Sequence, residues 1–460
     1  MKILLSGRRF SQPLMGGVDV YADRLGRALE RLGHSVSALG FDGAAAIETD
    51  AIVLERGKFG SWPSWQARFA MERRPKQAYD HAYDPEMGKV VGTVLDEARP
   101  DLFVILNFYQ ITLAAVEAAK ARGIPVIHVA TDFIPVCRRA TYMQWDGASC
   151  SVGESKRSCA ACFVSKDPLG RISARLLDRL PAATTRQLAG AGDHTLPHPL
   201  APLNPYWRQI RLMDERLRIL GPLRKEIDLV LAPTTFTRNA FIANGFDADR
   251  VMQLPFAVEA DHPLARLQKV PADHVRFLFV GRLQPYKGAD LLLEAFDRLE
   301  HPRGATLTVY GAAGEYEAYF RRLQRVIEHN ERITFRGTIP PERLGEAFAN
   351  SDYFVLPSTW HENSPLILLD ALQSKTPVIA SDVGGVTDAV VHEGNGLLFP
   401  MGNVEALRAT LQRTIDEPTL VDRLRASVEL PLIDAYASRL IDLCVERRLL
   451  SPLFPSTVHV

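Results

Sequence analysis

The chain has 460 residues, of which 54 are basic and 54 acidic, and 47% are hydrophobic. This length is too great for one ordinary core and fits two domains of about 200 residues each. The balanced charge argues against nucleic-acid binding. The stretch closest to a membrane span, 102–119, is interrupted by polar residues, so a transmembrane helix is not expected.

The first residues form a short apolar run that ends at Gly7 and is followed by Arg8 and Arg9. This pattern indicates a buried strand and its turn rather than a signal peptide. We therefore expect a cytoplasmic protein, with the inner face of the membrane as a second place of action.

Short apolar runs alternate with helical patterns through both halves of the chain. The runs are residues 3–5, 36–39, 102–106, 126–129 and 229–232, then 277–280, 307–310, 353–356 and 378–380. Near-continuous apolar runs between helices are typical of parallel strands that are buried on both faces. The pattern predicts an α/β protein with two Rossmann-like, doubly wound domains.

The domain boundary is predicted in the polar stretch 259–273. The N-terminal domain is then 1–262, with an insert at about 135–200, and the second domain is 263–430. A C-terminal helical segment, 431–460, is expected to pack on either domain. Within 206–220, a basic amphipathic helix is predicted to pack on the sheet with its arginines in water, while contact with a membrane surface stays open.

The first candidate site follows the run 277–280. Gly281 allows a tight turn at the strand end, and Arg282 and Lys287 offer positive charge to an anion. Ligands of parallel sheets bind at this carboxyl edge. On this stretch alone, a surface arginine and lysine in a loop would be an equally good interpretation.

The second candidate site follows the run 353–356. Pro365 suits the first position of a helix, with Ser364 or Asn363 as its N-cap. The free N–H groups at this helix start can receive a diphosphate. Glu362 precedes the helix and Asp370 lies about 8 Å along it, so one carboxylate can contact a sugar and the other a ribose.

At these residues the sequence resembles the retaining glycosyltransferases of family 4, which have the GT-B fold of two Rossmann-like domains facing a cleft. Gly281, Arg282, Lys287 and Gly288 match the motif G-R-L-x-x-x-K-G, and Glu362 with Asp370 matches E-x7-E with a shorter second acid. Further matches are Gly16-Gly17-Val18, the segment 33–36, the strand and glycine pair at 377–385, and the segment 394–399.

The resemblance implies a nucleotide-sugar donor, a glycan or lipid-linked acceptor and no catalytic metal. Arg282, Lys287 and Glu362 would be catalytic, with Glu362 on the donor sugar and Asp370 on the ribose. The remaining donor-binding residues would border the phosphates or the base: Gly16, Gly17, Gly337, Thr338, Ile339, Asn363, Ser364, Pro365 and Leu366. Surface polysaccharide or glycolipid synthesis is the expected role.

Two positions depart from the family pattern. Asp370 is one methylene shorter than the usual glutamate, and Thr131-Asp132 replaces a His-Asp pair. A threonine donates a hydrogen bond but is no base near neutral pH. We expect His128, inside a predicted strand, to be a satisfied core histidine.

Four of the five cysteines lie in the insert, at Cys137, Cys150, Cys159 and Cys162. The last two have the spacing of a zinc knuckle, and thiolates are soft ligands for Zn²⁺. We predict a structural zinc ion on these four residues. Free thiols, a redox pair at 159 and 162, and an iron–sulfur cluster are the alternatives.

Two further functions stay open beside a glycosyltransferase. One is a sugar-nucleotide epimerase on the same fold, against which the paired motifs argue. The other is an inactive subunit that binds the nucleotide sugar, for which Thr131 and Asp370 leave room.

Overall fold

The computed structural model describes residues 1–10, 16–44, 51–70, 82–144, 150, 156–164, 204–300, 304–312, 314, 316–425 and 429–450. The chain divides into two compact units. The first is Met1–Pro233 with Thr237–Leu254 and Ala437–Val460, and the second is Thr234–Phe236 with Pro255–Tyr436. Each unit is built on a mainly parallel sheet, which confirms the predicted α/β class.

The sheet of the first unit has eight strands in the order β3-β4-β2-β1-β5-β6-β7-β8. The strands are β1 Lys2–Ser6, β2 Ser35–Ala44, β3 Val53–Phe59, β4 Trp62–Ala70, β5 Leu102–Ile105, β6 Val126–Val129, β7 Leu229–Ala232 and β8 Val251–Gln253. All neighbours are parallel except β3 and β4, which form an antiparallel hairpin at the sheet edge. The apolar runs missed this hairpin because β3 is mostly exposed and β4 alternates between buried and partly exposed residues.

Helices that connect the strands of the first unit are α1 Gly17–Arg31, α2 Pro85–Ala98, α3 Ala114–Lys120, α4 Lys156–Val164, α5 Asn204–Glu226 and α6 Thr235–Ala243. Local sequence explains the start of α2. The Asp84 carboxylate accepts the N–H groups of Glu86 at 2.9 Å and Met87 at 3.4 Å, and Pro85 occupies the first turn. Such an N-cap stabilises a helix by about 1 kcal/mol.

In helix α5, Arg208, Arg211 and Arg218 are exposed as expected, but two other arginines are buried. Arg216 is 1% exposed and donates to the Ile134 carbonyl at 2.7 Å. Arg224 is 5% exposed and donates to the Pro135 carbonyl at 2.8 Å. A buried guanidinium group is stable when carbonyl oxygens accept its hydrogen bonds. These bonds tie α5 to the segment that follows β6. Within the described ranges, no helix is long and apolar enough to cross a membrane.

The sheet of the second unit has six parallel strands in the order β11-β10-β9-β12-β13-β14. They are β9 Val275–Val280, β10 Ala305–Tyr310, β11 Ile333–Phe335, β12 Tyr353–Leu356, β13 Val378–Asp382 and β14 Gly396–Pro400. The helices are α7 Ala289–Asp297, α8 Glu317–His329, α9 Leu344–Ala349, α10 Leu366–Gln373, α11 Val404–Asp416, α12 Leu420–Arg425 and α13 Ile433–Glu446, whose C-terminal part from Ala437 belongs to the first unit.

Strand β9 is buried on both faces, as its apolar run predicts. Phe277 and Phe279 pack in one core cluster with residues of α7 and α11, and Leu278 packs in the other with residues of α9 and α10. Burying each of these side chains contributes about 1.5–3 kcal/mol. The strand order reverses between β9 and β12, so the loops that leave these two strands are neighbours at the switch point where such sheets bind ligands.

Candidate active site

The loops after β9 and β12 touch through their backbones. Gly288 has φ +69°, and a Cβ atom there would lie 1.9 Å from the Pro357 carbonyl oxygen. The Thr359 N–H donates to the Tyr286 carbonyl at 2.9 Å. Only glycine combines this left-handed conformation with so close an approach, which explains the G in the K-G pair.

This contact brings Lys287 and Glu362 together. The Lys287 Nζ lies 2.6 Å from the Glu362 Oε1, and the Ser358 hydroxyl donates to the same oxygen at 2.6 Å. The side chains are 16% and 5% exposed, respectively. The ammonium also lies 5.0 Å from the centroid of the Trp360 ring. A buried carboxylate is tolerated here because a cation and a hydroxyl both satisfy it.

The other predicted donor-site residues of the second unit lie on the loop after β9, on α10 and after β11. Arg282 is exposed on the loop after β9, and Asp370 is buried, 8% exposed, in α10. Gly337, with φ +67°, follows β11, and its carbonyl accepts the Gly311 N–H at 2.7 Å. Thr338 and Ile339 line a cavity of about 410 Å³ that continues toward α9.

Helix α10 begins one residue later than predicted. Pro365 is its N-cap, with an extended ψ of 120°, and no side chain caps the helix. The prediction of Ser364 or Asn363 as N-cap is therefore wrong, because proline fixes φ but leaves ψ free to be extended. The Leu368 N–H donates to the Pro365 carbonyl at 2.9 Å, so the Leu366 and Ile367 N–H groups are the ones placed to receive an anion at this helix start.

Two side chains that the sequence did not single out, His361 and Phe236, pack beside the turn that carries Glu362. The His361 Nδ1 accepts the Gly384 N–H at 2.8 Å, and its ring stacks on Phe236 with centroids 4.0 Å apart. Burial lowers the pKa of His361 below its ordinary value, so the ring is neutral near pH 7. Gly385 has φ +85°, and a Cβ atom there would lie 1.7 Å from the Glu362 carbonyl oxygen. The Gly384-Gly385 pair was the only sequence signal of this contact.

The glycine pair of the first unit lies at the start of α1. Gly16 is the N-cap with extended backbone, and Gly17 is the first helical residue. Asp19, in the first turn, accepts the N–H groups of Arg8 at 3.2 Å and Arg9 at 2.8 Å. This carboxylate thus orders the backbone after β1, while residues 11–15 lie outside the described part of the chain.

Thr131 and Asp132 bond to the backbone around them. The Thr131 hydroxyl donates to the Leu106 carbonyl. Asp132 accepts the Phe108 and Ile134 N–H groups, both at 2.7 Å. Burial raises the pKa of Asp132 to about 6, against these hydrogen bonds. This pair therefore shapes the loops after β5 and β6.

His128 is a fully buried core residue, as predicted, but only one of its two ring nitrogens has a hydrogen-bond partner among the described residues. Its Nδ1 lies 2.9 Å from the Ile105 carbonyl, and the ring packs between Phe108 and Phe241. Its Nε2 has no hydrogen-bond partner among the described residues. Burial lowers the pKa of His128 to about 4.

The four cysteines of the insert do not form a ligand cluster. None of them forms a disulfide, and the described ranges hold no group of three or more His, Cys, Asp or Glu side chains that could bind a metal. The Cys162 sulfur lies 3.7 Å from the Arg139 guanidinium and 3.9 Å from the Met143 carbonyl. Among the described residues, the structure therefore gives no support to the expected zinc site.

Comparison with known proteins agrees with this geometry. Residues 16–257 match the family model described as glycosyl transferase 4-like domain, and residues 266–429 match glycosyl transferases group 1. The D-inositol 3-phosphate glycosyltransferase of Jonesia denitrificans is 33% identical over 156 residues, which are 32% of this chain and 37% of that protein. The amylovoran biosynthesis glycosyltransferase AmsK of Erwinia amylovora is 24% identical over 245 residues, covering 51% of this chain and 60% of that protein. The chain thus spans less than two thirds of the length of either relative.

Solved structures share the fold across the whole chain. HepE of Anabaena, solved with UDP, covers 97% of this chain and all of its own, with a TM-score of 0.62 and 15% identity. HepE was also solved with UDP-glucose. A glycosyltransferase from Rickettsia africae covers 97% of this chain and 98% of its own, with a TM-score of 0.62 and 14% identity. Since the first family model alone spans more than half of the chain, and the resemblance seen in the motifs is confirmed, the protein belongs to the group 1, glycosyl transferase 4-like family of GT-B proteins.

Proposed function

We propose that the protein is a retaining glycosyltransferase that moves a hexosyl group from a nucleotide-diphosphate-sugar donor to a glycan or lipid-linked acceptor. The observation that carries this proposal is the buried pair of Lys287 and Glu362 at the switch point of the second unit. The cation suits the diphosphate of a nucleotide sugar, and the carboxylate beside it suits the hydroxyl groups of the sugar.

Each group has a part in the proposed reaction. Lys287, Arg282 and the uncapped N–H groups of α10 stabilise the charge that develops on the departing diphosphate. Because fixed positive charge is already in place, the reaction needs no catalytic metal. Glu362 accepts hydrogen bonds from hydroxyls of the donor sugar, and Asp370 binds the ribose. The acceptor attacks from the face that the nucleotide leaves, so the anomeric configuration is retained.

The proposed donor and role take support from the relatives. UDP and UDP-glucose in HepE favour a nucleoside diphosphate sugar, and the name of AmsK favours surface polysaccharide synthesis. We propose that the Gly16-Gly17 segment contacts the donor phosphates and that Gly337, Thr338 and Ile339 border the base. The proposed place of action is the cytoplasm, including the inner face of the membrane.

Isothermal calorimetry with UDP, GDP and ADP tests donor binding directly. We expect one of the three to bind, with the same affinity in EDTA and in Mg²⁺. Lys287→Met should weaken it by roughly 10–100-fold, since one charge-assisted hydrogen bond contributes about 1.5–3 kcal/mol. No binding of any nucleotide to the folded protein would contradict the proposal. Binding without release of the nucleotide from any donor sugar would identify an inactive subunit instead.

A structural zinc ion on Cys137, Cys150, Cys159 and Cys162 is a separate proposal that takes its support from the cysteine spacing alone. We expect elemental analysis of protein purified without chelators to find about one zinc per chain. Chelation should then expose the four thiols to reagent and leave nucleotide binding unchanged. Metal-free protein of normal stability whose four thiols react freely would exclude the ion.

A further inference from the structure

The turn that carries Glu362 rests on the loop after β13. Gly385 leaves no room for a Cβ atom, which would lie 1.7 Å from the Glu362 carbonyl oxygen and 2.4 Å from its carbonyl carbon. The Gly384 N–H donates to His361, the residue before Glu362, at 2.8 Å. Any movement of this loop therefore moves the backbone that holds the carboxylate.

Thr235 and Phe236, at the start of α6, hold the loop in turn. They belong to the second unit, although β7 before them and the rest of α6 belong to the first. The Thr235 N–H and hydroxyl donate to Asp388 Oδ1 at 2.9 and 2.7 Å. Phe236 fills the space beside Gly384, where a Cβ atom would lie 2.5 Å from the ring.

The Phe236 ring also lies flat on His361. The centroids are 4.0 Å apart and the planes differ by 24°. Since His361 Nδ1 accepts a backbone N–H, the neutral ring carries its proton on Nε2. A protonated ring would present an N–H to the Gly384 N–H and break this bond. The bond to Gly384 thus requires the neutral ring with its proton on Nε2.

We propose that Phe236 is a positioning residue for Glu362, holding the 359–362 turn in place through His361 and Gly384. It acts on Glu362 through these two neighbours. This inference rests on the proposed glycosyltransferase function and names a residue that the function itself does not require. A misplacement of about 1 Å at such a distance can lower a rate by about a hundredfold.

The test compares Phe236→Leu, which keeps apolar volume but removes the ring, with Phe236→Tyr, which keeps the stack. Phe320→Leu is the matched control, since Phe320 is a partly buried aromatic of the same unit that packs on Phe335. Three quantities are measured for each: the His361 imidazole titration by NMR, the Kd of the nucleoside diphosphate alone, and kcat for transfer.

In Phe236→Leu we expect the pKa of His361 to rise toward 6.5, kcat to fall about 10–100-fold, and the Kd of the nucleotide to stay unchanged. In Phe236→Tyr, the pKa of His361 and kcat should both match those of the unmodified protein. Phe320→Leu should change neither quantity. If Phe236→Leu does not fold, His361→Asn replaces it, because the amide oxygen can accept the Gly384 N–H while the ring is lost. That variant should show the same loss of kcat.

An unchanged kcat in Phe236→Leu would overturn the inference, whether or not His361 titrates differently, because the contact would then be only structural. A fall in kcat with an unchanged His361 titration would also overturn it, since Phe236 would act by another route. Failure of the proposed function is distinct. The unmodified protein would then release no nucleotide from any donor sugar, while the His361 titration would still report the Phe236 contact.

Discussion

A Lys287→Met variant is expected to lose about 10²–10³-fold in transfer rate and several kcal/mol of stability. The rate falls because Lys287 is placed to stabilise the charge on the departing diphosphate. Stability falls because the Glu362 carboxylate, 5% exposed, keeps only the Ser358 hydroxyl of its two polar partners. Removing one member of a buried ion pair costs about 3–5 kcal/mol.

Two further variants separate the two effects. Lys287→Met combined with Glu362→Gln should recover most of the stability, because no unpaired charge remains, while transfer stays low. Lys375→Met, at an exposed position of the same unit, should change neither quantity. Steady-state transfer and urea unfolding measure the effects. Near-normal turnover of Lys287→Met would mean that the donor site lies elsewhere.

The stability difference between the unmodified protein and a His128→Phe variant is expected to change by roughly 3 kcal/mol between pH 7 and pH 4. In the folded state burial lowers the pKa of His128 from 6.5 to about 4. The unfolded chain therefore binds a proton first as the pH falls, and folding stability is lost through this window. Phenylalanine has no proton to bind, so the variant gains relative to the unmodified protein at low pH.

The difference is the quantity to measure, because Asp132 titrates in the opposite sense. Its pKa is raised from 3.8 to about 6, so the folded state binds its proton first and stability rises as the pH falls through that range. Urea unfolding at pH 7 and pH 4 gives the two values. Phe320→Leu, which removes no titratable group, is the control and should show no such change. A pH-independent difference for His128→Phe would contradict the assigned pKa.

The sequence alone determined the fold class and identified the two loops that carry the proposed donor site. Apolar runs such as 277–280 and 353–356 are read directly as strands, because a strand buried on both faces tolerates few polar residues. Gly288 and Lys287 were found by the spacing of their motif. Position 288 admits only glycine because its backbone is left-handed and lies close to Pro357.

The edge hairpin β3–β4, the cap of α10 and the surroundings of Glu362 were decided by the tertiary structure. The sequence could not show that two arginines of α5 are buried. The carbonyl groups that accept their hydrogen bonds belong to residues 134 and 135, far from α5 along the chain. His361 and Phe236 are separated by 125 positions and carry no local pattern. Their stacking exists only because the fold brings the start of α6 to the loop after β12. Sequence periodicity reports which face of an element is buried, whereas the partner on that face is set by the packing of distant segments.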